Sequence, residues 1–570
     1  MALSLHILPI PPGFMEQDPY RGTPLVPPAA RETGGIASRF LVYKRGMRSC
    51  DGRASELVFL VALLGLVPLL VTPCAADGRR EVRVGLPSVP AALDPATALS
   101  GPTALISRQV FDTLVRYHGG GTELEPGLAT RWTISADGLT WTFTLREDVA
   151  FHDGTPLGAR DVLASFERLR FPDRPHAPNP DVVWPALFRG LPGVVKELQA
   201  PDARTFQMIL VQPYAPLLTV LAHPGFGVVR VSTGADGGTQ LVGSGPFRVA
   251  ESGPGRIVLD AARPVAGNRV ERLVFVEMAD DAEAEAAFAA GTLDVWLPEG
   301  PPRREENALS VPGTRVGLLV WQTEKEPFAR KKVRQGLAAA LDPILIGASL
   351  GQGAVPLQSF LPPGIWGRRE GPPLLGGNRE AARRLLAAGG VPKGFTPTLL
   401  VPDLPGPVNP SQVAESIATA LAGANVPIVT RVEPLDTVRG LTQAGDYDMA
   451  LVEASVEGGD PHLFLYPLST TEGATKGPHA LNVSFYRNPR LDDLLIRASQ
   501  LAFRPERQHL YYRAQALMAD ELPWLPIYVR LRWAVVRPGV TGLRLHPTGL
   551  HQLDTLTVDQ PAVPASKSSP

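Results

Sequence analysis

The chain has 570 residues, too many for one ordinary hydrophobic core, so two or three domains are expected. Its 55 lysines and arginines nearly cancel 56 aspartates and glutamates, leaving neither a global basic field for nucleic acid nor an acidic tail. With 59 prolines and 56 glycines, it favours loops and turns over long helical bundles.

Leu57 to Val71 is an uninterrupted apolar run, LVFLVALLGLVPLLV, preceded by Arg48 and Arg53. It is short for a membrane span and contains Pro68. Cys74, Ala75 and Ala76 follow, so residues 47–76 read as a secretory signal peptide cleaved after Ala75 or Ala76. An uncleaved anchor and a lipoprotein through Cys74 are the alternatives; Pro73 argues against the second. Residues 1–46 do not suit an n-region. They are read as an extension of the gene model ahead of Met47, or as disordered if made. The two cysteines, Cys50 and Cys74, lie in or beside this segment, so the body has no disulfide, thiolate nucleophile or cysteine metal site.

The body starts near Asp77. Glu81–Leu86 alternates as a strand, Leu93-Asp94-Pro95 follows, and Ile106, Val110, Leu114 and Tyr117 share one face of a helix expected over 103–117. Pro126 to Leu169 is the most informative stretch. Trp132 and Ile134 alternate before the hairpin turn Asp137-Gly138; Leu139, Trp141, Phe143 and Leu145 then alternate with threonines. Asp153-Gly154 makes a second turn, and Val162, Phe166 and Leu169 mark a helix face. Phe171–Pro192 reads as loops, and Thr205–Leu210 as a strand. Val242–Ala250, VGSGPFRVA, reads as a turn into a strand. Gly291 ends an Ala-rich helix over 282–290, followed by a strand at 293–295 and a surface loop at 299–308.

Val316–Trp321 is an apolar strand, and the helix of Lys332 to Leu341 follows Pro327-Phe328. Strands over 395–401, 426–432 and 447–453 then alternate with helices capped at Asn378 and Ser411, which implies a largely parallel α/β lobe. Two amphipathic helices, 489–502 and 505–521, precede apolar strands over 525–536; the tail from Pro561 is expected to be mobile.

No catalytic pattern stands out. Ser244 lies in GSG, but Val242 breaks a G-x-S-x-G elbow. There is no phosphate loop and no H-E-x-x-H helix. The ten histidines lack ligand spacing; His152 reads as a turn residue, and only His462 is placed near a cleft.

The ordered series P-x-LA-x-x-W, DG-L-x-W-x-F-x-LR and F-H-DG-T-P…A-x-DV-x-x-S-F-x-R over Pro126 to Leu169 resembles the extracytoplasmic solute-binding proteins of family 5, the peptide and nickel receptors of ABC importers. The LDP step, the 242–250 turn, the helix–strand step at 291–295 and the run Pro327 to Asp342 extend the resemblance over nearly all of 80–557. Gly158 stands where the family carries a hydroxyl cap, and Arg330 where an acidic residue is common. The resemblance implies an α/β, two-lobed periplasmic binding protein of type II-like architecture with an additional mixed α+β subdomain. The expected divisions are lobe I from 77–119 and 205–315, the subdomain 120–204, lobe II 316–522, a return to lobe I over 523–557, and a disordered tail 558–570. It also implies a monomeric periplasmic receptor that uses no cofactor or metal, partners an ABC permease of the inner membrane, and is not an enzyme.

By the same resemblance, the loop holding Leu99 and Ser100, the turn residues Gly243 and Ser244, and Ser455, Glu457 and Asp460 in DYDMALVEASVEGGDPHLFL face the ligand. Glu457 stands where peptide receptors place the aspartate that binds the peptide ammonium. A buried cation needs such a partner. Leu451 and Ala454 stand where tight oligopeptide binders carry Arg and Trp, so another arginine would have to clamp a carboxylate. Trp321 is a candidate cleft wall or a core residue. Di- or oligopeptides are the expected solute; nickel chelate, haem, an opine or a sugar remain alternatives, as does a secreted hydrolase using Ser244. N-terminal sequencing of the exported protein is expected to find Ala76 or Asp77 first; a mature terminus upstream of Leu57 would contradict the signal-peptide reading.

Overall fold

The computed structural model describes residues 80–170, 194–233, 239–455, 458–478 and 480–559, all within one compact unit. The signal segment, the stretch Phe171–Pro192, the tail from Pro561 and the candidate Glu457 lie outside the described residues.

An eleven-stranded mixed sheet is the spine of the fold. Its order is Phe247–Gly253, Arg256–Ala261, Arg272–Glu277, Glu81–Leu86, Val295–Trp296, Trp524–Val536, Ala308–Trp321, Met449–Ser455, Thr398–Asp403 and Val429–Pro434, with Ala354–Pro356 attached to Trp524–Val536. The two long strands in the middle run antiparallel and carry the chain from one half of the sheet to the other. Ala308–Pro312 pairs with Leu531–Val535, and Val316–Val320 pairs with Trp524–Val529. The register shifts between Pro312 and Val316, as at a β-bulge, which bends a strand and raises its twist.

Beyond Met449–Ser455 the sheet is parallel, as the alternation of strands and helices predicts. Thr398–Asp403 lies parallel to both of its neighbours, with the helices Pro410–Ala422 and Leu435–Ala444 as crossovers. Trp321, Leu337, Leu399, Ile417 and Leu525 share this half's core.

A separate four-stranded antiparallel sheet has the order Ala129–Ile134, Thr140–Leu145, Thr205–Leu210, Val195–Gln199. Trp141, Phe143 and Leu145 are buried, as the period of two predicts, and helix Ala159–Arg170 covers them with Val162, Phe166 and Leu169. Phe166 meets Phe206 edge-on at 5.3 Å. Strand Thr205–Leu210 pairs with Thr140–Leu145 although it lies past the expected subdomain limit at 204. Gly138 takes the positive φ, 75°, that its hairpin turn requires. Gly158 offers its helix no side chain, and Asp161 compensates by accepting the Gly158 N–H at 2.8 Å, half of a capping box.

Two sequence expectations are corrected. The helix expected over 103–117 spans only Gly101–Val110, and Val115–Tyr117 is a strand. Leaving the helix frees the Leu114 carbonyl to accept from Gly127 and Ala129 at 3.1 and 3.0 Å, so tertiary pairing overrides the helical spacing. Helix Pro410–Ala422 is capped by Asn409, whose side chain accepts from the Ser411 N–H, rather than by Ser411.

The recurring motif residues join elements distant in sequence. Asp94 accepts from the Ala96 N–H and pairs with Arg168 of helix Ala159–Arg170. Ser165 bridges both backbone groups of Val229. Arg83 pairs with Asp294 at 2.9 Å, and buried Arg334 donates to the carbonyls of Phe328, Ala329 and Glu521.

Candidate functional site

Where the long strands cross the sheet, three residues stand in one row on adjacent strands: Glu453, Gly317 and Tyr528. A Cβ at Gly317 would lie 2.2 Å from the Tyr528 ring, so only glycine leaves room for the phenol. Across that gap the Tyr528 hydroxyl donates to Glu453 Oε1 at 2.9 Å. Arg530 reaches Oε2 at 3.4 Å, and Arg315 stands 3.8 Å from the same oxygen. Burial, followed by the neighbouring Glu453 charge, raises the Tyr528 pKa well above its ordinary value, which keeps it a neutral donor.

This cluster stands at the polar end of a cavity of about 540 Å³. The volume lies within the range of small-molecule sites. Arg315 and Ser455, paired across the strands, form that end with Glu453. Leu318, Leu404, Val438, Leu451, Phe464 and Trp524 supply much of an apolar wall. The wall draws on the strands Ala308–Trp321, Met449–Ser455 and Trp524–Val536, the loop after Thr398–Asp403, and the helices Leu435–Ala444 and His462–Ser469. Arg439, Thr442, Gln443 and Ser484 also line the cavity, so it offers both carbon and polar groups to an occupant.

Residues 123–476 match the family model described as bacterial extracellular solute-binding proteins, family 5 middle. The chain belongs to this family. The solute-binding protein is similar to heme-binding protein A of Haemophilus influenzae, at 28% identity over 82% of this chain and 91% of that one. It is likewise 28% identical to the dipeptide-binding protein of Escherichia coli, over 87% of this chain and 98% of the other. The structure of HbpA2 from Haemophilus parasuis superposes with a TM-score of 0.76 at 25% identity, covering 84% of this chain and 100% of that one. The expected two-lobed α/β binding-protein fold is thereby established.

Among the sequence candidates, Ser455 lines the cavity of the solute-binding protein. The loop that follows is pressed onto other elements: Gly458 lies against Thr219 and Tyr117, and Gly459 against Thr122. Asp460 is buried and meets Arg507 with both oxygens, at 2.8 and 2.7 Å, while accepting from the His462 N–H. Trp321 is fully buried and donates to the Leu522 carbonyl; Trp524, not singled out from sequence, is equally buried, donates to the Leu468 carbonyl and borders the cavity. Gly243 and Ser244 stand against the end of helix Gly101–Val110, where a Cβ on Gly243 would meet the Val110 carbonyl at 2.1 Å. The Ser244 hydroxyl meets Asp112, and His152 fixes the turn through Gly243 and Gly245. Leu99 gives its carbonyl to His223, and Ser100 is exposed before the same helix.

His462 packs between Tyr214 and Tyr466, and burial, then nearby Arg507, pushes its pKa down to about 3. No group of His, Cys, Asp or Glu among the described residues is arranged to hold a metal. Arg315, Glu453, Tyr528 and Arg530 were not anticipated. The available signal was a glutamate inside the apolar strand MALVEAS and a glycine inside VGLLVW.

The Asp460–Arg507 pair allows a direct check. Asp460→Ala leaves a guanidinium buried without its partner and is expected to cost roughly 3–5 kcal/mol in urea unfolding. Lost solute affinity with stability unchanged would show that Asp460 serves the ligand instead.

Proposed function

We propose that this solute-binding protein is the peptide receptor of an ABC importer. It takes di- or oligopeptides in the periplasm, acts as a monomer, delivers its cargo to an inner-membrane permease and transforms nothing. The observation that carries the reading is the 540 Å³ cavity at the end of strand Met449–Ser455, in a chain similar along 87% of its length to a dipeptide-binding protein. Peptide main chain suits such a site because its donors and acceptors pair regardless of side chain.

The ammonium anchor in this reading is Glu457, two residues past the cavity residue Ser455. A carboxylate there would offset the desolvation of the cation. Halves of the sheet closing about the crossing strands would enclose the peptide, and closure is favoured only by contacts that the closed state alone makes. Haem is the second reading, favoured by the similarity to heme-binding protein A.

Calorimetry separates them. Unmodified dipeptides are expected to bind, and Glu457→Ala or N-acetylation of the peptide to weaken binding by roughly 100-fold or more. Tight binding of haemin with no heat from peptides would replace this reading with the haem one. Peptide binding unchanged in Glu457→Ala would remove the anchor.

A further inference from the structure

The turn of one hairpin is tied to elements far along the chain. Strands Val115–Tyr117 and Leu124–Pro126 pair antiparallel, and Thr122 and Glu123 lie just before the second of them. Both oxygens of Glu123 accept from Arg504, at the start of helix Arg504–Glu521, at 2.7 Å each. The Arg504 guanidinium also lies 4.8 Å from the centre of the Trp366 ring, within cation–π range. The same ring is flanked at 4.9 Å by Arg507, itself fixed by Asp460. Beside this pair the Thr122 hydroxyl donates to the Gly364 carbonyl at 2.8 Å, and the Ala215 N–H donates to the Ser499 carbonyl at 2.7 Å. Each of the contacts made by Glu123, Thr122 and Ala215 joins the chain before Arg315 to the chain after it. The lining of the chamber is different: all of its residues fall between Arg315 and Trp524, and none of the described residues before Arg315 takes part.

We infer that Glu123 and Arg504 form a clasp that holds the protein with its chamber uncovered, and that the clasp releases when the two parts of the chain close over a solute. Resting on the closure proposed above, this clasp adds the restraint that closure works against. A bidentate pair tolerates little displacement, because both bonds stretch or bend when either residue shifts. Carrying the residues before Arg315 over the chamber therefore parts Glu123 from Arg504. The clasp is also placed to let go. The Glu123 and Arg504 side chains are 63% and 48% exposed, so water and salt replace the lost partners at low cost. Hydrogen bonds from Arg504 hold the Glu123 carboxyl below its ordinary pKa, so the pair stays charged at neutral pH. A resting state that competes with closure lowers the apparent affinity by the fraction of molecules it withholds. The Glu123–Arg504 pair thus tunes how tightly any solute is kept without touching that solute.

The test is calorimetry with Leu-Leu and with haemin, on the wild type, Glu123→Gln, Arg504→Gln and the double variant. Each single substitution is expected to tighten binding of the solute that the wild type takes by about two- to fivefold, the range of an exposed ion pair. The double variant should gain no more than either single one, because both remove the same contact. Salt at about 0.5 M should erase the difference between the wild type and the double variant. Unchanged or weaker binding in either single variant would overturn the clasp, even if the melting temperature fell, since a pair with only a structural role changes stability and leaves affinity alone. Additive gains in the double variant, or a difference that survives high salt, would overturn it too. In each of those cases solute binding itself would stand. Binding of neither Leu-Leu nor haemin by the wild type would overturn the reading of the cavity and the clasp with it.

Discussion

The arrangement depends on the Glu453 carboxylate, held by Tyr528 and Arg530 across the space left at Gly317. Glu453 is an exposed acid near the end of a strand whose first residues, Met449 to Leu451, are buried, and it gathers positive and hydroxyl groups from the strands beside it. The two long strands bring these partners: Tyr528 and Arg530 donate from one, and Arg315 on the other stands in ion-pair range at 3.8 Å. The same row fixes three neighbouring strands beside the register shift between Pro312 and Val316. A polar knot therefore lies where the two halves of the sheet join, and the chamber begins beside it.

The residues that make the family legible hold the frame together, and different residues shape the chamber. Asp94 and Arg168 tie a turn to a helix, His152 pins the turn at Gly243, and Arg334 gathers three carbonyls. These contacts are indifferent to which solute is bound. Leu404, Val438 and Phe464 come from a loop and two helices, and Val438 and Phe464 belong to the core as well as to the cavity lining. One scaffold can thus present different chambers, consistent with a family whose similar members are named for haem and for dipeptides.

Much of the fold could be read from local pattern. The alternation through Trp141, Phe143 and Leu145 and the glycine turns at 138 and 154 are decided within a few residues. The helix expected through Tyr117 shows the limit of that pattern, since Leu114 fits both a helical face and a strand, and only pairing with Gly127 decides between them. The cap of helix Pro410–Ala422 turned on one residue, Asn409 in place of Ser411. The site was less legible. Trp321 and Trp524 lie at the same end of two paired strands, look alike in sequence and are both buried in the core, yet of the two only Trp524 borders the chamber. Asp460 carries the expected motif, but its partner Arg507 is 47 residues away, so its engagement in a buried pair could not be seen in the motif itself.

A crystal structure of the protein with a bound dipeptide tests the central claim most directly. Intact peptide is expected between the Arg315–Ser455 end and the wall formed by Leu451 and Phe464. Peptide seated away from the strand crossing, or a cleaved product in its place, would contradict a binding site organised around Glu453.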